Sequence, residues 1–169
     1  SQQAVHFAAQ GIMAGAYDIV IACGIESMSR VPMGAARIGQ NPYGPSFEER
    51  YAPGLVGQGV SAELVAAKWE LSRHDMDSYS ARSHQRAAAT QAAGGFKREI
   101  VGIQTVNGLV EQDETIRANT TVERLATLES PFRNDELSAR FPQIGWNVTA
   151  GNASQISDGA AAILIVSER

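Results

Sequence analysis

Val5, Ala8, Ala9 and Ile12 recur at i, i+3, i+4 and i+7, the apolar stripe of an amphipathic helix over residues 1–16, with Gly15 at the expected C-terminal cap. Ile19-Val20-Ile21-Ala22-Cys23 follows as a continuous apolar run, which predicts a strand buried on both faces. Residues 159–166, Gly-Ala-Ala-Ala-Ile-Leu-Ile-Val, predict a second strand of the same kind. Asp18 is the only charged side chain in residues 1–25, and residues 159–166 carry none. Almost every charge lies between these pieces, so the middle reads as a polar lobe inserted between two core strands.

Inside the lobe, Pro32, Pro42, Pro45 and Pro53 with Gly34, Gly39, Gly44, Gly54 and Gly57 predict a long structured loop over 26–58. Ser61 is the expected cap of a helix through about Glu70, with Leu64, Val65, the Lys68 stem and Trp69 turned inward. Ser72 and Asp75 form a capping-box pattern that opens a second helix, stopped by Gly94-Gly95. Its expected inward positions are Met76, Tyr79, Ser80, Ser83 and Ala87. Phe96 to Thr105, then Asn107-Gly108, then Leu109 onward predict two strands joined by an Asn-Gly turn. A short helix near 121–128 precedes a loop over 131–147 that carries Pro, Phe and Trp.

Outside the lobe only one helix and two strands remain. A parallel sheet of such strands needs cover on both faces, so the rest of that layer is expected from residues outside this sequence. The start at Ser1, with no initiator Met and no signal-peptide pattern, carries the same expectation of a segment of something longer. The 169 residues hold 26 Ala and 19% charged residues, a composition of close-packed helices rather than disorder. A net charge of −4 with scattered arginines offers no basic face for nucleic acid, and no apolar run is long enough for a membrane span. The single Cys excludes an internal disulfide framework and fits a reducing compartment, which gives the expectation of a cytoplasmic protein.

Few residues invite chemistry. Cys23 ends an apolar strand with no His, Lys or Arg near it in sequence, so it is expected to be a buried small hydrophobe rather than a nucleophile. His6, His74 and His84 form no pair at metal-ligand spacing; His74 and His84, among Arg73, Arg82 and Arg86, are expected on a solvated face, and no metal is expected. Gly54-Leu55-Val56-Gly57-Gln58-Gly59 lacks the strand before it and the Lys-Ser/Thr after it that a phosphate loop needs. Three Asn-x-Ser/Thr tripeptides, at Asn119, Asn147 and Asn152, lack a secretion signal beside them. The run 148–159, Val-Thr-Ala-Gly-Asn-Ala-Ser-Gln-Ile-Ser-Asp-Gly, is different: small residues and side-chain amides stand just before a strand. A backbone site for a ligand, with Asn152 and Ser154 as hydrogen-bonding groups, and a tight turn that fixes the strand are equally open readings.

Gly24-Ile25-Glu26-Ser27-Met28-Ser29 and Asn152-Ala153-Ser154…Asp158-Gly159-Ala160-Ala161 resemble the thiolases, acyl-CoA:acetyl-CoA acyltransferases. Ser1-Gln2-Gln3-Ala4 resembles the sequence that follows the family's nucleophilic Cys-Gly-Ser, and Gln58–Glu63 with the Ser72–Phe96 helix resembles its inserted loop domain. The resemblance implies an α/β fold: part of a layered α-β-α core domain (residues 1–25 and 148–169) with an inserted α+β loop domain (26–147). It implies thiolytic cleavage of 3-ketoacyl-CoA, or the reverse Claisen condensation, through a Cys acyl-enzyme. The nucleophile is expected just before Ser1, and the His and second Cys after Arg169, so no residue of this chain is expected to be catalytic and the chain is expected to be inactive alone. Coenzyme A and acyl-CoA are the implied substrates, with no covalently bound cofactor, and a homodimer or homotetramer is the implied assembly. By position, Ala150 and Ser154, with Ile156 beside them, resemble contacts to the pantetheine arm. Phe132 resembles an aromatic packed on that arm, Arg117 a basic residue near the adenine and phosphates, and Gln58 a further coenzyme contact. Gly57-Gln58 stands where biosynthetic thiolases carry His-Met, which implies the degradative type, while Gln155 and Ser157 depart from the family's commoner Gly and Asn. The alternative reading is a non-catalytic module of the same fold that binds coenzyme A or mediates oligomerisation.

Overall fold

The computed structural model describes residues 2–168. They divide into two compact units, one drawn from the two ends of the chain (up to Gly44 and from Ile156 on), the other Pro45–Gln155.

In the first unit, α1 (Gln2–Met13) packs on a sheet of β1 (Ile19–Ser27) and β4 (Asp158–Val166). The Val5–Ile12 stripe faces inward, with Ala8 buried. Gly15, at φ 69°, ends α1 in a Schellman turn: its N–H donates to Ile12 O, and the Ala16 N–H to Gly11 O. β1 and β4 are antiparallel, with Ile19 opposite Val166 and Ser27 opposite Asp158, which corrects the expected parallel pair. An apolar run carries no information on direction, and both strands are built on the same kind of run. The expected burial of these strands is also corrected. α1 covers one face, where Val20 and Ile165 are half-buried and Ala22 is buried, while Ile19, Ile21, Cys23 and Ile25 alternate onto the open face. Cys23 is therefore exposed. A 3-10 turn, Ala35–Arg37, lies in the loop that follows.

The second unit holds α2 (Pro45–Arg50), α3 (Gln58–Lys68), α4 (Arg73–Ala92), β2 (Ile103–Thr105), β3 (Gly108–Val110), α5 (Val122–Ala126) and α6 (Asp135–Arg140). α3 starts at Gln58, because extended Gly57 is its N-cap, so Ser61 lies inside the helix and not at its start. Its inward residues are Val60, Glu63 and Ala66, while Val65, Lys68 and Trp69 are exposed, a rotation away from the expected face. α4 opens on the predicted capping box, Ser72 Oγ accepting from the Asp75 N–H at 3.1 Å and the Asp75 carboxylate from the Ser72 N–H at 3.0 Å. The Ser72 hydroxyl, which also donates to the Asp75 carboxylate at 2.6 Å, and then the Ser72 N–H hold that carboxyl below the ordinary carboxylate range. Gly94 (φ 74°) and Gly95 close the helix by donating to Gln91 O and Thr90 O. The buried face of α4 is Asp77 and Ala81, whereas Tyr79 and Ser83, expected inside, are exposed. β2 and β3 pair antiparallel as the predicted hairpin, far shorter than the ten-residue strand read from Phe96 onward, with 96–100 in turns. α5 forms where expected, with the Thr121 hydroxyl as its cap. α6, inside the segment read as loop, is capped by Asn134 Oδ1, which accepts the Leu137 N–H.

Candidate functional site

The segment 147–155 runs against three helices of the second unit, and buried carboxylates hold it. Glu63, one turn and a half along α3, is 1% exposed and accepts the Val148 N–H through Oε1 at 2.5 Å. Asp77 on α4 is also 1% exposed. Its Oδ2 accepts from Arg73 Nε at 2.7 Å, and its Oδ1 accepts from Asn152 Nδ2 at 2.9 Å. Asn152 also donates to Asn147 O and accepts the Thr149 N–H at 2.8 Å. Fully buried Thr149 accepts the Gly151 N–H through its hydroxyl, and its carbonyl accepts the N–H groups of Asn152 and Ala153.

The result is a tight turn held by bonds among its own residues, by Glu63 of α3 on the Val148 N–H, and by Asp77 of α4 on the Asn152 side chain. Arg73 extends the network by donating through Nη2 to Leu125 O and, at 2.9 Å, to Leu128 O, at the end of α5. Gly151 lies so close to the Leu125 and Leu128 side chains that an added Cβ would collide with both. Ala150 and Ser154 stand exposed on this turn. Both readings of the run 148–159 therefore have a physical basis: it is a tight turn, and it presents two small side chains to solvent.

The other positions singled out from sequence fall around it unevenly. Gln155 Nε2 donates to Thr115 O at 3.0 Å, tying the end of the turn to the loop that carries Arg117. Arg117 is exposed, and its N–H donates to His84 Nδ1 at 3.2 Å, which gives half-buried His84 an acceptor role among its exposed neighbours Arg82, Ser83, Gln85 and Arg86. Gln58 is exposed at the start of α3, and the Phe132 ring packs directly on the backbone of its neighbour Gly59, where a Cβ would collide with it. Ile156 is 68% exposed and belongs to the unit formed by the chain ends. Glu63, Asp77 and Arg73 were not legible as site residues. The one available signal was the i, i+4 spacing of Arg73 and Asp77 on a helix with no apolar stripe, where polar residues must face inward.

In the first unit, the Ser29 N–H donates to Asp158 Oδ1 at 2.9 Å and its hydroxyl to Oδ2, joining the Glu-Ser-Met-Ser and Asp-Gly-Ala-Ala motifs. The Ser29 hydroxyl, then its N–H, holds the Asp158 carboxyl below the ordinary range.

The thiolase N-terminal domain family matches residues 1–169. The chain belongs to the thiolase family. This thiolase segment is 38% identical to a steroid 3-ketoacyl-CoA thiolase of Mycobacterium tuberculosis over its whole length, which is 40% of that protein. It is 40% identical to a 3-ketoacyl-CoA thiolase of Bacillus subtilis, over 97% of this chain and 42% of that one. Its fold matches the dimeric peroxisomal thiolase of Saccharomyces cerevisiae with a TM-score of 0.75 at 30% identity, over 97% of this chain and 40% of that chain. Human mitochondrial 3-ketoacyl-CoA thiolase, solved in complex with CoA, matches with a TM-score of 0.73 at 32% identity, over 98% of this chain and 42% of that chain. The chain thus spans about two fifths of the length of these relatives. The α/β character of the thiolase fold is present in both units, and among the described residues no helix is long and apolar enough to cross a membrane.

Proposed function

We propose that this chain is the coenzyme A-binding part of a degradative, cytoplasmic 3-ketoacyl-CoA thiolase that acts as a homodimer or homotetramer. In the proposed reaction a thiolate attacks the 3-keto carbon, the carbon–carbon bond breaks, and the departing carbanion takes a proton to leave as acetyl-CoA. The acyl group then passes from the enzyme thioester to the sulfur of a second CoA, whose thiol gives up its proton as the thiolate is freed. The thiolate and the proton-transferring groups are not among residues 1–169. Exposed Cys23, on the face of β1 away from α1, has no part in the reaction.

The proposed work of this chain is binding. Ala150 and Ser154 line the pantetheine arm, where small side chains let it approach the backbone. Phe132 packs on the arm, Gln58 adds a polar contact, and Arg117 pairs with a phosphate of the coenzyme. The observation that carries this reading is the turn itself, small and exposed at Ala150 and Ser154 yet held from behind by the buried carboxylates of Glu63 and Asp77. It fits a surface that must meet a long flexible ligand without reordering.

Calorimetric titration of CoA into the full gene product tests it. Arg117→Ala and Ser154→Ala are each expected to weaken binding severalfold, about 1 kcal/mol per lost contact. Unchanged affinity in both variants would reject the assignment. Binding without any acyl transfer in the full gene product would favour the non-catalytic module instead.

A further inference from the structure

We infer that Asp77 is a positioning residue for coenzyme A, acting through Asn152; this rests on the reading of Ala150 and Ser154 as contacts to the pantetheine arm. The hydrogen bonds of Asp77 go to Arg73 and Asn152 rather than to either exposed residue. Its two carboxylate oxygens each face a donor, Arg73 Nε on one side and Asn152 Nδ2 on the other. Arg73 in turn holds the carbonyls of Leu125 and Leu128, and the side chains of those two leucines form the wall against which Gly151 is pressed. One buried carboxylate therefore ties the turn to the arginine that fixes the wall behind it. Asn152 passes the constraint on, because the oxygen of its side chain accepts the Thr149 N–H at the start of the turn. Ala150 lies between the two residues so joined, and Ser154 follows two residues later.

A burial of this kind adds little to stability compared with apolar side chains of the same volume, but it admits only one arrangement of donors and acceptors. That is the property a preformed binding turn needs. The arrangement also makes the inference testable by swapping polarity. An amide at position 77 offers one oxygen and one NH2 group, so it leaves a donor facing either Arg73 or Asn152. A carboxylate at position 152 sets an acceptor against Asp77. Both changes together restore a donor–acceptor pair: the amide at position 77 would accept from Arg73 and donate to the carboxylate at position 152, which would keep its bond from the Thr149 N–H.

The test is calorimetric titration of CoA into the full gene product carrying Asp77→Asn, Asn152→Asp, the double swap, and Ala150→Trp. Each single polar change is expected to raise the Kd about tenfold, the effect of one mispaired buried hydrogen bond, with the number of binding sites per chain unchanged. The double swap is expected to recover most of that loss, short of wild type because Asn147 O loses its donor. A merely structural role would lower the number of competent sites and leave the Kd of the remainder alone, and that result overturns the inference, as does a double swap whose losses add. Ala150→Trp separates the two readings. If it raises the Kd while both polar single changes leave it unmoved, the inference alone fails; if it leaves the Kd unmoved, the turn is not the contact and both fail. If the single variants do not fold, the swap decides, because its affinity must lie near wild type.

Discussion

Glu63 shows how much of this site depends on side chains that an apolar pattern places on the wrong face. Its carboxylate is 1% exposed, Oε1 accepts the Val148 N–H, and Oε2 has no hydrogen-bond partner among the described residues. Glu63→Ala removes the acceptor, strands a buried N–H and opens a cavity, so denaturant unfolding should show a loss of about 3 kcal/mol. Glu63→Gln keeps the acceptor, and its loss should stay below about 1 kcal/mol. Asp158 gives a pH dependence of definite sign. Its folded pKa is depressed by Ser29, so the interaction stabilises the protein above the ordinary carboxylate pKa and fades as pH falls through the lower folded value. Ser29→Ala should therefore flatten the loss of thermal stability below about pH 4 and leave its slope at neutral pH unchanged. The tight turn was legible as one of two open readings of the run 148–159, in which Asn152 and Ser154 stood out before a strand. Glu63 and Asp77 did not, since a charged residue within a helix reads as solvent-facing until a distant partner is known. Those partners, Val148 and Asn152, lie 85 and 75 positions along the chain.

Among the elements, α4 and α5 were read well from their local caps, whereas Ser61 was misread as the cap of α3 and the faces set by packing were misread. The capping box at Ser72 and the Gly94-Gly95 stop bound α4 as the sequence predicts, because both devices act within a few residues. Ser72→Ala is expected to cost about 1 kcal/mol, read as a lower denaturation midpoint with an unchanged slope. The inward faces of α3 and α4 were misread because burial there follows hydrogen bonds from the 147–152 segment rather than apolar area. α6 escaped notice although Asn134, Asp135 and Glu136 make an acidic, capped first turn; its six residues are too few for a periodic pattern. The strand pair fails differently. Two runs without charge predict burial, yet neither direction nor coverage can be read from them, and β1 and β4 prove antiparallel with one face open.

At the scale of the molecule, that open face and the 149–154 turn belong to different units and lead to separate expectations. Ile19, Ile21, Ile25 and Leu164 are between 63% and 81% exposed, a row of large apolar side chains on a two-stranded sheet. Residues 1–169 prepared alone should self-associate in sedimentation velocity, and Ile21→Lys with Leu164→Lys should shift them toward monomer. The proposed function rests on contact between the 149–154 turn and coenzyme A. A crystal structure of the full gene product with CoA bound tests it most directly. The pantetheine arm is expected against Ala150 and Ser154, with the hydrogen bonds of Asn152, Thr149 and Glu63 unchanged; an arm seated elsewhere, with Ala150 and Ser154 left in solvent, would contradict the proposed function.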